Sequence, residues 1–152
     1  MKKDAKLGIS VALFSMLCYF LGYYSMTACA VLFAVALAFA ENKDLKINAT
    51  QAMMFTAVTE IVSLALSTIS TKFYDVLWYI AGFFQNAFEV HNVFVNVISW
   101  MSKFDILAFA SNLIHLFAFI MMIVFVIGAM KGGVVKVPFV SKTVAKHFED
   151  AE

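Results

Sequence analysis

The chain contains no arginine, a single proline and only two cysteines. All eleven basic residues are lysine, a one-sided usage that reads as compositional bias before anything functional. Cys18 and Cys29 form no Cys-x-x-Cys pair, which removes the motif for thioredoxin-like or quinone-linked dithiol chemistry. The three histidines, His91, His115 and His147, fall at different expected depths, so no convergent ligand set for haem or a metal is evident and no cofactor is expected. There is no glycine-rich phosphate loop and no Ser/His/Asp pattern. Net charge is +1, which leaves no basic footprint for nucleic acid. The most informative absence is that of any charged residue from Leu7 to Ala40.

What fills the chain is apolar. Hydrophobic residues make up 63% of it and the mean hydropathy is +0.89, against roughly 45–50% apolar residues in a soluble domain. Seventeen Phe and nine Met suit lipid contact and soft helix packing. As one straight helix the charge-free run would reach roughly 51 Å, well beyond a hydrocarbon core of about 30 Å. A tight hairpin resolves the mismatch, with two short spans over about 7–22 and 25–40 joined near Gly22-Tyr23-Tyr24-Ser25. Glycine breaks helices at little cost, and Tyr pairs favour the membrane–water boundary. The run is too long for the core of a cleaved signal peptide, so it is expected to remain as a start-transfer hairpin.

A charged junction, Glu41 to Lys46, precedes a third span over about 47–70, and a fourth covers about 104–130. The expected fold is therefore an all-α integral membrane bundle of one domain, with four transmembrane helices plus interfacial helical segments. Lysine placement orients it. With both termini cytoplasmic, Lys2, Lys3, Lys6, Lys43, Lys46, Lys131, Lys136, Lys142 and Lys146 lie inside, and only Lys72 and Lys103 lie outside. A three-span alternative sends Lys43, Lys46 and the tail outside and fits that bias worse. The setting is then a plasma, inner or organelle membrane. Asn48-Ala49-Thr50 matches a glycosylation sequon but faces the cytoplasm in this topology.

Between the last two spans, 73–102 carries Gln85, Glu89, Asn92, Asn96, Ser99 and Lys103 at steps of three and four, with Phe84, Phe88, Val95 and Trp100 on the other face. This is the pattern of an interfacial helix; the apolar 76–84 piece before it is too short to span and reads as interfacial or re-entrant, and an apolar plug on the bundle's outer end is the plainer alternative. In the basic tail, 131–152, Gly132-Gly133 ends the last span and Pro138 suits the first turn of a short helix. Val140, Val144 and Phe148 share one face and Lys142 and Lys146 another, a candidate for lying on anionic cytoplasmic lipid or for binding a partner.

Glu60 is the sharpest candidate for chemistry, a carboxylate near the middle of the third span, where a charge is costly and is expected to face the bundle interior. Thr56, Ser63 and Ser67 stand at helical spacing from it. His115, with Asn112 one turn earlier, lies near the middle of the last span and is a possible partner for Glu60. The group reads either as a proton or ion relay or as a buried polar clamp that fixes helix register. Cys18 and Cys29 sit symmetrically about the hairpin tip, and buried structural thiols are the commoner use of such a pair. Ala30, Ala34 and Ala38, and Gly128 with Gly132, have small-xxx-small spacing that permits close helix approach, within the chain or between copies.

The order of these features resembles the Tic20-like membrane proteins and the bacterial four-helix proteins grouped with them. The matching pieces are Lys43-Asp44, then Asn48-Ala49-Thr50-Gln51-Ala52 in place of a His-Ala-x-x-Ala-like signature, and Gly128-Ala129-Met130-Lys131-Gly132 through Val137-Pro138-Phe139. Asn48 stands where a His is common, and 73–102 looks like an insertion. The resemblance covers about two-thirds of the chain. It implies a helical bundle and, in the plastid branch, a subunit of a protein-import channel; no catalytic residues carry over. Similarity to the glutathione-handling MAPEG family extends to size and span count only, and that family's site leans on arginines. The expected partners are the lipid bilayer and other membrane subunits or further copies of the chain. A non-enzymatic subunit, with a role in protein or peptide translocation, is the first expectation, and a small oligomeric proton-coupled transporter or channel using Glu60 is the second.

Overall fold

A computed structural model of the chain describes residues 7–88, 93–103 and 105–149. Six α-helices lie among them: α1 (Val11–Tyr24), α2 (Met26–Phe39), α3 (Lys43–Phe88), α4 (Val93–Lys103), α5 (Ile106–Met130) and α6 (Ser141–Glu149). The all-α expectation holds. Lys2, Lys3, Lys6, Glu89, His91 and Asn92, and the side chains of Gln85, Phe88, His147 and Phe148, lie outside the described residues.

Short polar side chains set the helix ends. Ser10 caps α1, its Oγ accepting from the Leu13 N–H at 3.4 Å. Ser25 forms the hairpin turn alone. Its N–H donates to the Leu21 carbonyl at 2.8 Å and closes α1, while its Oγ accepts from the Ala28 N–H at 3.3 Å and opens α2. Asn42 Oδ1 accepts from the N–H groups of Asp44 and Leu45 at 2.9 and 3.4 Å and starts α3. Asp105 Oδ1 accepts from Leu107 and Ala108 at 3.0 and 2.9 Å, placing a carboxylate at the positive end of α5. Gly132 and Gly133, at φ 76° and 93°, turn the chain out of α5. The Gly128/Gly132 pair is consequently no helix-packing motif, because Gly132 lies past the helix end.

α3 departs from the expected boundaries. It does not stop near Ser70 but runs through Lys72 to Phe88 for 46 residues, and 73–88 is its continuation. No Gly or Pro interrupts it before Gly82, and Lys72 and Asp75 pair at 3.5 Å on one exposed face at helical spacing. α4 forms a separate helix beyond it. α3 and α5 are both long and apolar enough to cross a membrane. Their apolar windows are only 17% and 22% buried, whereas the core helix of a soluble protein is mostly covered. α1 and α2, at 14 residues each, reach about 21 Å.

The chain divides into two compact units, Met1–Glu60 with Leu116–Glu152, and Ile61–His115. The first holds the main core, in which Phe14, Cys18, Tyr19, Cys29, Leu45, Ala49, Ala52, Phe125 and Ala129 pack with Val135, Val137, Val140 and Val144 of the tail. Contacts fix its register. Ser15 meets Asn48, Tyr19 meets Gln51, and Gly22 closes on Thr56, so α1 runs parallel to the start of α3. Tyr19 packs on Phe125 and Tyr23 on Phe119, at centroid distances of 5.3 and 5.5 Å, so the end of α5 is antiparallel to both. Val140 and Val144 of the tail point into this core, and that apolar face is used internally rather than laid on lipid. Ala34 and Ala38 are exposed, the packed positions of α2 being Cys29 and Ala36.

The second unit has a thinner interior. Among its described residues the buried ones are Ser63, Ser70, Ala81, Ile98 and Ser111, and three of these five carry hydroxyls.

Candidate functional site

In the second unit, α3 and α5 are joined by hydroxyls. Ser63 Oγ lies 2.7 Å from Ser111 Oγ and 2.7 Å from His115 Nε2. Two turns further along α3, the Ser70 hydroxyl donates to Asp105 Oδ2. One turn beyond that, the Tyr74 hydroxyl donates to the Met101 carbonyl at 3.0 Å, beside an open groove of about 650 Å³ lined mainly by Phe73, Trp100, Ile106 and Leu107. The Ser63–His115 distance is that of a nucleophile and its base. Ser63 sits inside a regular helix, where neighbouring N–H groups are spent on the backbone ladder. The contacts tie α3 to α5 through one shared hydroxyl.

The expected polar group is divided between the two units. Ser63 and His115 are brought together. Thr56 belongs to the first unit, where its Oγ1 lies against Gly22 and Cys29. Asn112 is exposed. Glu60, expected to face the interior, is exposed instead and has no hydrogen-bond or ion-pair partner among the described residues. The reason is periodic. The buried stripe of α3 follows Thr56, Ser63 and Ser70 at seven-residue intervals, and Glu60 falls at its margin, beside the exposed Ile61 and Leu64.

Among the described residues, the fully buried side chain with the most hydrogen bonds is one that the sequence pattern did not single out for chemistry. Asn48 is fully buried. Its Nδ2 donates to Ser15 Oγ at 3.1 Å and to the Gly133 carbonyl at 2.9 Å, and its Oδ1 accepts from the Val135 N–H at 2.9 Å. One turn later the Tyr19 hydroxyl donates to Gln51 Oε1 at 3.5 Å. A single amide thus ties α1, α3 and the turn after α5. An Asn and a Gln three residues apart, just after the charged start of α3, were the available signal. Cys18 and Cys29 are both free and buried, with Cys29 Sγ 3.6 Å from the Cys18 carbonyl. Among the described residues no group of three or more His, Cys, Asp or Glu is placed to hold a metal.

No family model, curated protein or solved structure matches this chain. Two segments distant in sequence, 48–52 and 128–139, meet in the first unit. Asn48, Ala49, Gln51 and Ala52 are all buried, and Asn48 bonds to the turn at Gly133 and Val135, within the second segment.

Proposed function

We propose that this chain is a non-enzymatic multi-pass membrane protein that works as a subunit of a larger membrane assembly. α3 and α5 cross the bilayer, and the α1–α2 hairpin enters it from the lysine-rich side. The hairpin tip packs at the level of Thr56, about 20 Å along α3 from Lys43. In the four-span form both hairpin helices complete the crossing with their flanking residues. In the shorter form the tip stops within the bilayer. Either way the chain returns at Lys43 to the side it left, and both termini stay cytoplasmic.

The observation that carries the subunit reading is Glu60. Between Lys46 and Lys72 it is the only charged residue of α3, it lies near the middle of that stretch, and it is exposed. A carboxylate facing hydrocarbon is costly at that depth. A hydrogen-bonding or cationic group from a neighbouring membrane subunit removes the cost. The Tic20-like resemblance supplies protein or peptide translocation as the process such an assembly would serve. The second reading, a proton-coupled oligomeric transporter, uses the same carboxylate as the carrier of the proton.

Affinity isolation from native membranes in mild detergent tests the choice. A stoichiometric partner that is retained by the wild type and lost with Glu60→Gln supports the subunit. A homo-oligomer without other chains, whose proton flux in liposomes is abolished by Glu60→Gln, supports the transporter and overturns the subunit reading.

A further inference from the structure

The segment after α5 carries Lys131, Lys136, Lys142 and Lys146, all exposed, and the sequence from Lys131 to Phe148 contains no acidic residue. None of the four forms an ion pair among the described residues. In their midst stands Phe139, 97% exposed at φ 63°, a left-handed conformation that bulky side chains rarely adopt. The exposure is built in. Val137 and Val140 on either side are buried in the first unit's core. The Ser141 hydroxyl accepts from the Val137 N–H at 2.6 Å and donates to the Val137 carbonyl at 2.8 Å. Both flanks of the loop are therefore pinned, and the pinned backbone aims the ring outward. The segment begins where the apolar helix α5 ends, which in the membrane reading is the level where headgroups replace acyl chains.

We infer that the loop around Phe139 is a lipid-binding surface that seats the cytoplasmic end of the bundle on anionic bilayer headgroups, with the Phe139 ring entering the headgroup layer and the four lysines meeting lipid phosphates. The side chain that enters lipid is the outward Phe139, while Val140 and Val144 hold the loop to the protein. The chemistry is that of a phosphate-rich surface with an apolar floor. A free phosphate supplies no site for the ring, whereas a bilayer satisfies ring and lysines together. This rests on the membrane reading given above.

The test uses the full chain in vesicles and in nanodiscs, with Phe139→Trp in a Trp78→Phe, Trp100→Phe background. All three positions are exposed, and the thermal unfolding of the Trp78→Phe, Trp100→Phe background is compared with the wild type first. The introduced indole is then the only one in the chain. Brominated phosphatidylglycerol or brominated phosphatidylcholine serves as the depth probe. The expected result is strong quenching of the indole emission in the anionic lipid. Further replacement of Lys131, Lys136, Lys142 and Lys146 by Gln is expected to lower the preference for anionic lipid by roughly tenfold or more. A chain that floats with vesicles but whose indole is unquenched in both lipids overturns this inference and leaves the membrane reading intact. Equal quenching in both lipids, unaltered by the lysine replacements, overturns the anionic preference. A chain that fails to float with vesicles overturns the membrane reading and the inference together.

Discussion

Replacing Asn48 by Ala removes one amide and three hydrogen bonds. The costs differ by partner. Gly133 is exposed, so its carbonyl regains another partner. Ser15 is buried, but a helical Ser hydroxyl can turn to its own backbone carbonyls. Val135 is also buried, and its N–H is left without the Asn48 acceptor at 2.9 Å; an unsatisfied buried donor costs about 1–3 kcal/mol. Interhelical bonds in membranes average about 0.6 kcal/mol, so the total is about 2–4 kcal/mol. Ser15→Ala, which leaves Asn48 bonded to Gly133 and Val135, is expected to cost less than about 1 kcal/mol. Thermal unfolding in detergent, followed by dye reaction with the buried Cys18 and Cys29, measures both. A stability change below about 0.5 kcal/mol for Asn48→Ala, the size of an ordinary surface substitution, refutes the role given to Asn48 in tying α1, α3 and the turn after α5.

Three further expectations follow from the same contacts. A Cβ at Gly22 would lie 2.6 Å from Thr56 Oγ1 and 3.3 Å from Cys29 Sγ, so Gly22→Ala lowers stability by about 1–3 kcal/mol; adding Thr56→Ala restores part of it, which the same melts record. Ser63→Ala releases Ser111 and His115 from their shared partner and costs about 1 kcal/mol or less, with faster backbone hydrogen exchange over 61–72 than over 43–56. Thr27→Cys, at an exposed position beside the hairpin turn, separates the two membrane forms: labelling by an impermeant maleimide from the outer side shows a tip that crosses, and protection shows one that stops inside.

How much of this the residues announced follows from range. The hairpin turn was legible because its signals are local: a charge-free run too long for one span, with Gly22 and Ser25 at its middle. The helical tail was legible for the same reason, from Pro138 and the spacing of Val140 and Val144. The length of α3 was not. Lys72 and Asp75 look like the polar end of a span, yet paired on one helix face they impose no stop. The polar site was half legible. Ser63 and His115 share depth, and the fold joins them; Glu60 shares that depth as well but falls off the seven-residue stripe that decides burial. Asn48 was visible only as part of a short motif, because its partners Ser15, Gly133 and Val135 are distant in sequence. Chain folding, rather than periodicity, brings them together.

The central claim is that the Glu60 face of α3 meets another protein within the bilayer. A photo-crosslinker placed at Ile61, exposed beside Glu60, and irradiated in native membranes tests it directly. The account predicts one discrete protein adduct in high yield, lost when Glu60→Gln is added. Adducts to lipid alone, unchanged by Glu60→Gln, would contradict it.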